Sequence, residues 1–408
     1  GGMKMVLRAL VGLFLVLTLG SGALAQTTIR YMTFFPADIE AEVVAAFERA
    51  HPEIIVQLEP AEFGEIFTKL QLAIAGGAAP DVISLNLENY TAFAASGSLL
   101  ALDQRIQADG HDLSMYFPNV VDLFRLDGTL YALPATFSDV VLFYNEDLYG
   151  QAGLTGPQSS WSWQEMLDAA KKLTRDLSGD GEPDQYGYAV AWWPMYVWLG
   201  GGEILDETGT RTLIDSPEAV AGLQAMVDTW LVEGVAPSPA ELAAKSDWDR
   251  WAEGTLATFP IGPWGLAPFQ ETPFDWNAAH HPPIARQATF LFSNPLAITS
   301  QSQHPEAAWE FLKFATGPEG TRIRQDLGYE ISPVRDVAAS FGRGMERPRN
   351  MAVFLEATAY AKSPPAIPQW AEVAAAIDEH LNQAKEGLIS VRNAMTNAAT
   401  TVQAILDR

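Results

Sequence analysis

The feature that most constrains this chain is an alternation of two periodicities near its amino end. "TTIRYMTFF" reads as a strand, "DIEAEVVAAFERAHP" as an amphipathic helix that Pro52 stops, and "EIIVQLE" as a second strand. "EFGEIFTKLQLAIAGGAAP" follows as a helix with a glycine exit, and "DVISL" as a short apolar strand of the kind a parallel sheet buries on both faces. Parallel strands need a crossover, and each helix supplies one, so this part is predicted to be a doubly wound α/β lobe. Ligands in such lobes sit outside the carboxyl ends of the strands, here residues 33–36, 60–63 and 86–90. Phe34, Phe35 and Phe63 stand at those ends and fit either a binding site or packing. A second α/β stretch runs from "VVLFYNEDL" to "HHPPIA", a third begins at "FLFSNPLAITS", and the carboxyl third reads as mostly helical. A length of 408 residues suggests two domains or more. No internal repeat or low-complexity tract stands out.

Ahead of the first strand, Lys4 and Arg8 precede an apolar run, and Ala23 and Ala25, flanking Leu24, supply small residues at the cleavage spacing. The expectation is a signal peptide cleaved near Ala25, with an uncleaved anchor as the alternative; the run is short for a membrane span and no second one follows. The chain has no cysteine, so an exported fold must be held by burial alone, without a disulfide framework or a lipid-bearing cysteine. That favours a protein free in a periplasm. With 25 Lys and Arg against 50 Asp and Glu, the net charge of −25 repels nucleic acid and anionic lipid, and it also serves solubility.

"AWWPMYVWLGGG" places Trp192, Trp193, Tyr196 and Trp198 ahead of three glycines. A helix beginning near Pro194 is predicted, with Trp192 and Trp193 on the loop before it. Two tryptophans on a loop fit a core or a ligand surface about equally.

Blocks in a fixed order add to this reading: "AFERAHPEIIV", "IFTKLQLAIAGGAAPDVISL", "FAASGSLLAL", "LYALPATFSDVVLFYNEDLYGQAGL", "GEPDQYGY", "WLGGGEIL", "EGTLATFPIGPW" and "HPEAAWEFLKFATGPEG". Their series resembles the extracellular solute-binding proteins of ABC importers, in the sugar-binding family that includes maltose-binding protein. The resemblance implies two doubly wound α/β lobes joined by crossover hinge segments, the class II arrangement. It places one lobe at residues 26–138 and 293–333 and the other at 139–292 and 334–408. It further implies a monomer that holds a sugar or oligosaccharide in the interlobe cleft, closes by hinge rotation, and delivers its ligand to the membrane permease.

By the same resemblance, Trp264 in the Gly-Pro-Trp block stacks on a sugar face, and Glu88 and Asn89 offer polar groups to sugar hydroxyls; Asn86, at the carboxyl end of the third strand, is a further ligand-binding candidate. Ser138 and Asp139 fall at the first crossover, Asn294 lies in the third α/β stretch, and Trp192, Trp193 and Tyr196 lie where second-lobe aromatics arise. Sugars present flat C–H patches rimmed by hydroxyls, so aromatic plates flanked by polar groups suit them. Trp198 is assigned to the core, and Trp370 in "IPQW" fits cleft or core.

"DLSGDGEPD" sets Asp176, Ser178, Asp180, Glu182 and Asp184 at alternate positions, as in a calcium loop, although its glycine is at position 6 without a bidentate glutamate at position 12. Structural calcium and a plain acidic turn are both open, and no other cofactor is expected. The rival functions are an exported glycoside hydrolase, which would need a carboxylate pair, and a binder of glycerol phosphate-type anions, which would need clustered cations. No GxSxG or HExxH pattern appears, His280 and His281 read as a solvent-exposed loop, and Arg335 is the one basic residue assigned to the cleft. A neutral sugar binder is therefore the preferred expectation.

Overall fold

A computed structural model describes residues 26–408; the expected signal segment and its cleavage near Ala25 lie outside the described residues. The amino-terminal alternation folds as read. β1 (Thr27–Thr33) pairs in parallel with β2 (Ile54–Pro60) and with β3 (Val82–Ser84), and the crossovers are α1 (Ala37–Ala50) and α2 (Phe63–Ala75). β1 turns Ile29, Tyr31 and Thr33 to the interior, where Ile29 and Tyr31 join Val43 and Phe47 of α1 in one apolar core. That alternate burial is the period of a pleated strand with one face more fully covered.

The sheet then widens with strands from far along the chain. The strand Thr289–Ile298 runs antiparallel to β3 on one side and to Ala132–Asp139 on the other. Its register shifts at Asn294/Pro295, where a proline has no N–H to give the ladder. A narrower sheet holds Val141–Asn145 between Thr258–Ile261 and Trp276–Ala279, all antiparallel. Val140 alone separates the strand of the large sheet from that of the small one. The chain therefore passes from one α/β lobe to the other in nearly extended backbone, the geometry of a crossover hinge.

A second core gathers Trp198, Leu223, Ile377 and Met395 from the helices Trp193–Leu199, Pro217–Leu231, Trp370–Lys385 and Val391–Leu406. The first two of these helices approach backbone to backbone. A Cβ on Gly222 would stand 1.9 Å from the Tyr196 carbonyl oxygen, and one on Gly200 would stand 2.6 Å from that of Glu218. The glycines that close "AWWPMYVWLGGG" thus serve a helix contact as well as a helix end. A third cluster, including Phe137, Phe143, Trp251, Trp276 and Phe354, lies where strands of both sheets meet the helix Ala352–Ala357. Among the described residues, no helix is long and apolar enough to cross a membrane.

Candidate aromatic cleft at Trp192

The helix Trp193–Leu199 has Pro194 in its first turn, where the missing N–H costs nothing. It begins one residue earlier than the sequence suggests, so Trp193 is helical and 8% exposed, while Trp192 stays ahead of the helix at 41% exposed. Two cavities share the wall made by Val190, Ala191 and Trp192. The smaller, of ≈ 270 Å³, is closed by Trp248, Phe259 and Trp264. The larger, of ≈ 480 Å³, runs between Trp193, Trp230, Phe292 and Trp370, with Glu88 reaching in from the first lobe.

Edge-to-face contacts set these rings. Trp192 lies 5.2 Å from Phe292 and 6.0 Å from Trp264, which in turn is 5.7 Å from Phe292. Phe290 stacks beneath Phe292 at 4.1 Å and 17°. Trp264 lies against backbone: a Cβ on Gly262 would meet its ring at 2.0 Å, so only glycine lets the indole fold over that turn.

Polar groups are few and placed at the edges. α3 (Leu87–Ala95) is capped by Asn86, whose Oδ1 accepts the Asn89 N–H at 3.2 Å and the Asn89 side-chain amide at 2.8 Å. The Asn86 amide donates to Glu88 Oε2 at 2.7 Å. Asn86 and Asn89 are therefore engaged in the cap and orient Glu88, which alone of the three lines the cavity. Burial raises the Glu88 carboxyl above the usual carboxylate range.

Other expected site residues lie elsewhere. Ser138, Asp139 and Asn294 are buried in the crossover strands and line neither cavity at Trp192. Asn294 donates to Thr136 Oγ1 at 3.2 Å and to Glu330 Oε2 at 3.1 Å, while Asp139 has no protein partner and burial pushes its carboxyl well above the usual range. The pairing of these two strands buries all three. Phe34 and Phe35 border a separate hollow in the first lobe with Pro60; Phe63 packs edge-on against Phe34 and is exposed, and Phe35 packs under Arg324. Arg335 is exposed, donates to the Ser114 carbonyl and lines neither cavity at Trp192.

Tyr196 also corrects the sequence reading, for it is fully buried. Its hydroxyl accepts the Ala191 N–H at 3.2 Å and donates to Tyr188, and the Tyr188 hydroxyl donates to His281 Nε2 at 2.7 Å. His281 Nδ1 donates to the Pro282 carbonyl at 2.9 Å. The chain ends on the backbone just before Trp192, so it positions that loop. His281, read from sequence as solvent-exposed, is 1% exposed, and His280 pairs with Glu356 at 2.9 Å.

Burial pushes the His281 imidazole from 6.5 to about 4. A base with a depressed folded-state pKa contributes stability that is full above pH 6.5 and lost as pH falls toward about 4, at about 1.4 kcal/mol per pH unit. Urea melts across that window should show this slope in the wild type and its absence in His281→Gln; equal slopes would remove His281 from the account.

The acidic loop does not suit calcium. Asp176 accepts the N–H groups of Gly179 and Gly181, Asp184 accepts those of Leu177 and Ser178, and Asp180 accepts that of Glu182. The carboxylates of Asp176, Asp180 and Asp184, with the Ser178 hydroxyl on Asp176, thus build Asx-type turns, and Glu182 contributes its backbone N–H. Among the described residues, no group of three or more His, Cys, Asp or Glu side chains has a metal-holding arrangement.

Sequence reasoning missed Phe290 and Phe292, although their spacing of two in "FLF" marks one strand face. It also missed Trp230, Asp378 and Lys385; the last two follow Trp370 at helical spacing in a segment taken only as helix.

The model for bacterial extracellular solute-binding proteins matches residues 42–352. A maltotriose-binding protein of Pyrococcus abyssi is 24% identical over 82% of this chain and 72% of its own. An ABC substrate-binding protein of Listeria monocytogenes, solved in complex with cycloalternan, superposes with a TM-score of 0.87 at 29% identity, covering 94% of this chain and 99% of that one. UgpB of Mycobacterium tuberculosis, in complex with glycerophosphocholine, superposes with a TM-score of 0.80 at 25% identity, covering 94% and 99%.

Proposed function

Because the chain belongs to the bacterial extracellular solute-binding protein family, we propose that it binds a neutral sugar or oligosaccharide and passes it to the membrane permease of an ABC importer. The observation that carries this reading is the pair of cavities meeting at Trp192, walled by aromatic rings with Glu88 and Asp378 at their edges. Rings cover the C–H faces of a sugar, and edge carboxylates accept its hydroxyls. The solved sugar-binding relative supports the ligand class by analogy. Anionic glycerol phosphate esters fit less well, since Lys385 is the single cationic side chain lining either cavity.

The lobes we propose comprise residues 26–138 with 293–333, and 139–292 with 334–408, with export by the amino-terminal signal and a monomeric working state. The hinge is the extended passage around Val140 and its neighbour Phe290, whose carbonyl accepts the Val140 N–H at 3.2 Å. Opening about this passage draws Glu88 away from the second-lobe aromatics and admits the sugar, which leaves unaltered.

A thermal-shift series over mono- and oligosaccharides, with glycerophosphocholine alongside, tests the reading. Ligand at 100 times its Kd stabilises by about 2.7 kcal/mol. X-ray scattering at saturation should show a smaller radius of gyration, and chromatography should recover the sugar intact. Stabilisation by glycerophosphocholine alone, or by nothing in the series, would reject a sugar ligand; shortened products would indicate catalysis.

A further inference from the structure

The larger cavity does not end at the aromatic rings. Trp370, Ala374, Asp378, Asn382 and Lys385 all line it, and their spacing of four, four, four and three places them on one face of the helix Trp370–Lys385. Fifteen residues of helix advance about 22 Å. The cavity therefore extends well past the Trp192–Trp370 region toward solvent.

The facing wall is apolar, with Met226, Trp230, Pro239 and Leu242 opposite this row. The row itself carries one carboxylate, one amide and one ammonium. Asp378 and Lys385 are partly buried and stand seven positions, about two turns, apart on the helix. Burial raises the Asp378 carboxyl, with Lys385 and the Trp193 indole opposing the rise, and it lowers the Lys385 ammonium. Two partly desolvated, separated groups of opposite charge offer an acceptor and a donor at once, which is what a ring of hydroxyls can satisfy. Trp230, whose indole donates to the Lys385 carbonyl at 3.0 Å, supplies a flat wall at the same end.

Resting on the sugar-binding reading above, we propose that the ligand is an oligosaccharide of at least two rings that straddles Trp192. One ring lies in the cavity closed by Trp264. A further ring lies along the helix Trp370–Lys385, with its hydroxyls on Asp378, Asn382 and Lys385. Trp192, shared by both cavities, is the partition over which the linkage passes. The polar row selects ligand length, because a single ring held at Trp264 does not reach it.

Calorimetric titration compares glucose, maltose and maltotriose, and in parallel mannose, mannobiose and mannotriose, on the full chain. In the series that binds, the trisaccharide should be at least about tenfold tighter than the monosaccharide, as one hydrogen bond to a charged group allows. Asp378→Asn and Lys385→Met should each reduce that trisaccharide advantage about tenfold. Ala374→Phe, which fills the channel one turn beyond Trp370, should remove the advantage. Thermal melts of the unliganded variants report whether each folds; a variant that does not melt cooperatively is replaced by Asn382→Ala, read by the same ratio. Equal affinity for one and three rings, or an advantage untouched in the folded variants, overturns this inference while leaving sugar binding in place. Failure of both series to bind the wild type, with no stabilisation by any sugar of the thermal-shift series, overturns the sugar reading itself, and the inference with it.

Discussion

Trp264→Ala is expected to weaken sugar binding on the order of thirtyfold or more, because truncating a large aromatic at a desolvated contact costs about 2 kcal/mol at least. Trp192→Ala should behave alike, since the two indoles form adjoining walls and Trp192 is already 41% exposed in the free protein. Trp198, five residues beyond Trp193, supplies the contrast. It is 2% exposed and packs against Phe290 at 5.5 Å, so Trp198→Ala should cost about 3–5 kcal/mol of fold stability. Gly262→Ala provides a second route to the same site: its methyl would displace the Trp264 ring without removing it. Calorimetry and thermal melts of the four variants measure both effects. Normal sugar binding by Trp264→Ala would remove the smaller cavity from the binding site.

Glu40→Ala should destabilise the first lobe by about 3–5 kcal/mol, since it leaves a guanidinium buried without its counter-charge. Arg324 Nε donates to Glu40 Oε1 at 2.6 Å and Nη2 to Oε2 at 2.9 Å, with the two side chains 1% and 0% exposed. The Tyr31 hydroxyl adds a third bond to Glu40 at 3.0 Å, so the carboxylate ties β1 and α1 to the helix Pro318–Asp326. Replacing both partners, as Glu40→Met with Arg324→Met, should recover much of the loss, because an apolar pair of similar volume carries no desolvation penalty. Urea midpoints of the single and double variants give the comparison. A loss below about 1 kcal/mol for Glu40→Ala would mean that water reaches the guanidinium.

Local pattern made much of the fold legible. Periodicity and breakers marked β1, α1, β2, α2 and β3 to within one or two residues, and Pro194 marked the start of the helix behind Trp192 almost as closely. The family resemblance pointed to Glu88, Trp192, Trp193, Trp264 and Trp370, all of which line one or both cavities that meet at Trp192. Tyr196 was misread because its spacing suits a surface as well as a core, and only its bond to the Ala191 N–H reveals a positioning role. Arg335 finds its acceptor, the Ser114 carbonyl, more than two hundred positions away, which no local pattern could signal.

What the sequence by itself determined is therefore whatever depends on neighbours within a few positions: strand and helix periods, caps, breakers, and the blocks that mark the family. The tertiary structure alone decided which distant segments share a cavity. Asp378 and Lys385 face Trp230 because two helices of the second lobe pack side by side, and Glu88 joins them because α3 packs against the helix Trp370–Lys385. In the same way, the carboxylates of Asp176, Asp180 and Asp184 were taken up by backbone N–H groups once the turn closed. Side-chain chemistry is written locally, but its partners are chosen by topology, and a charge or an indole becomes a site only where the fold leaves it unpaired.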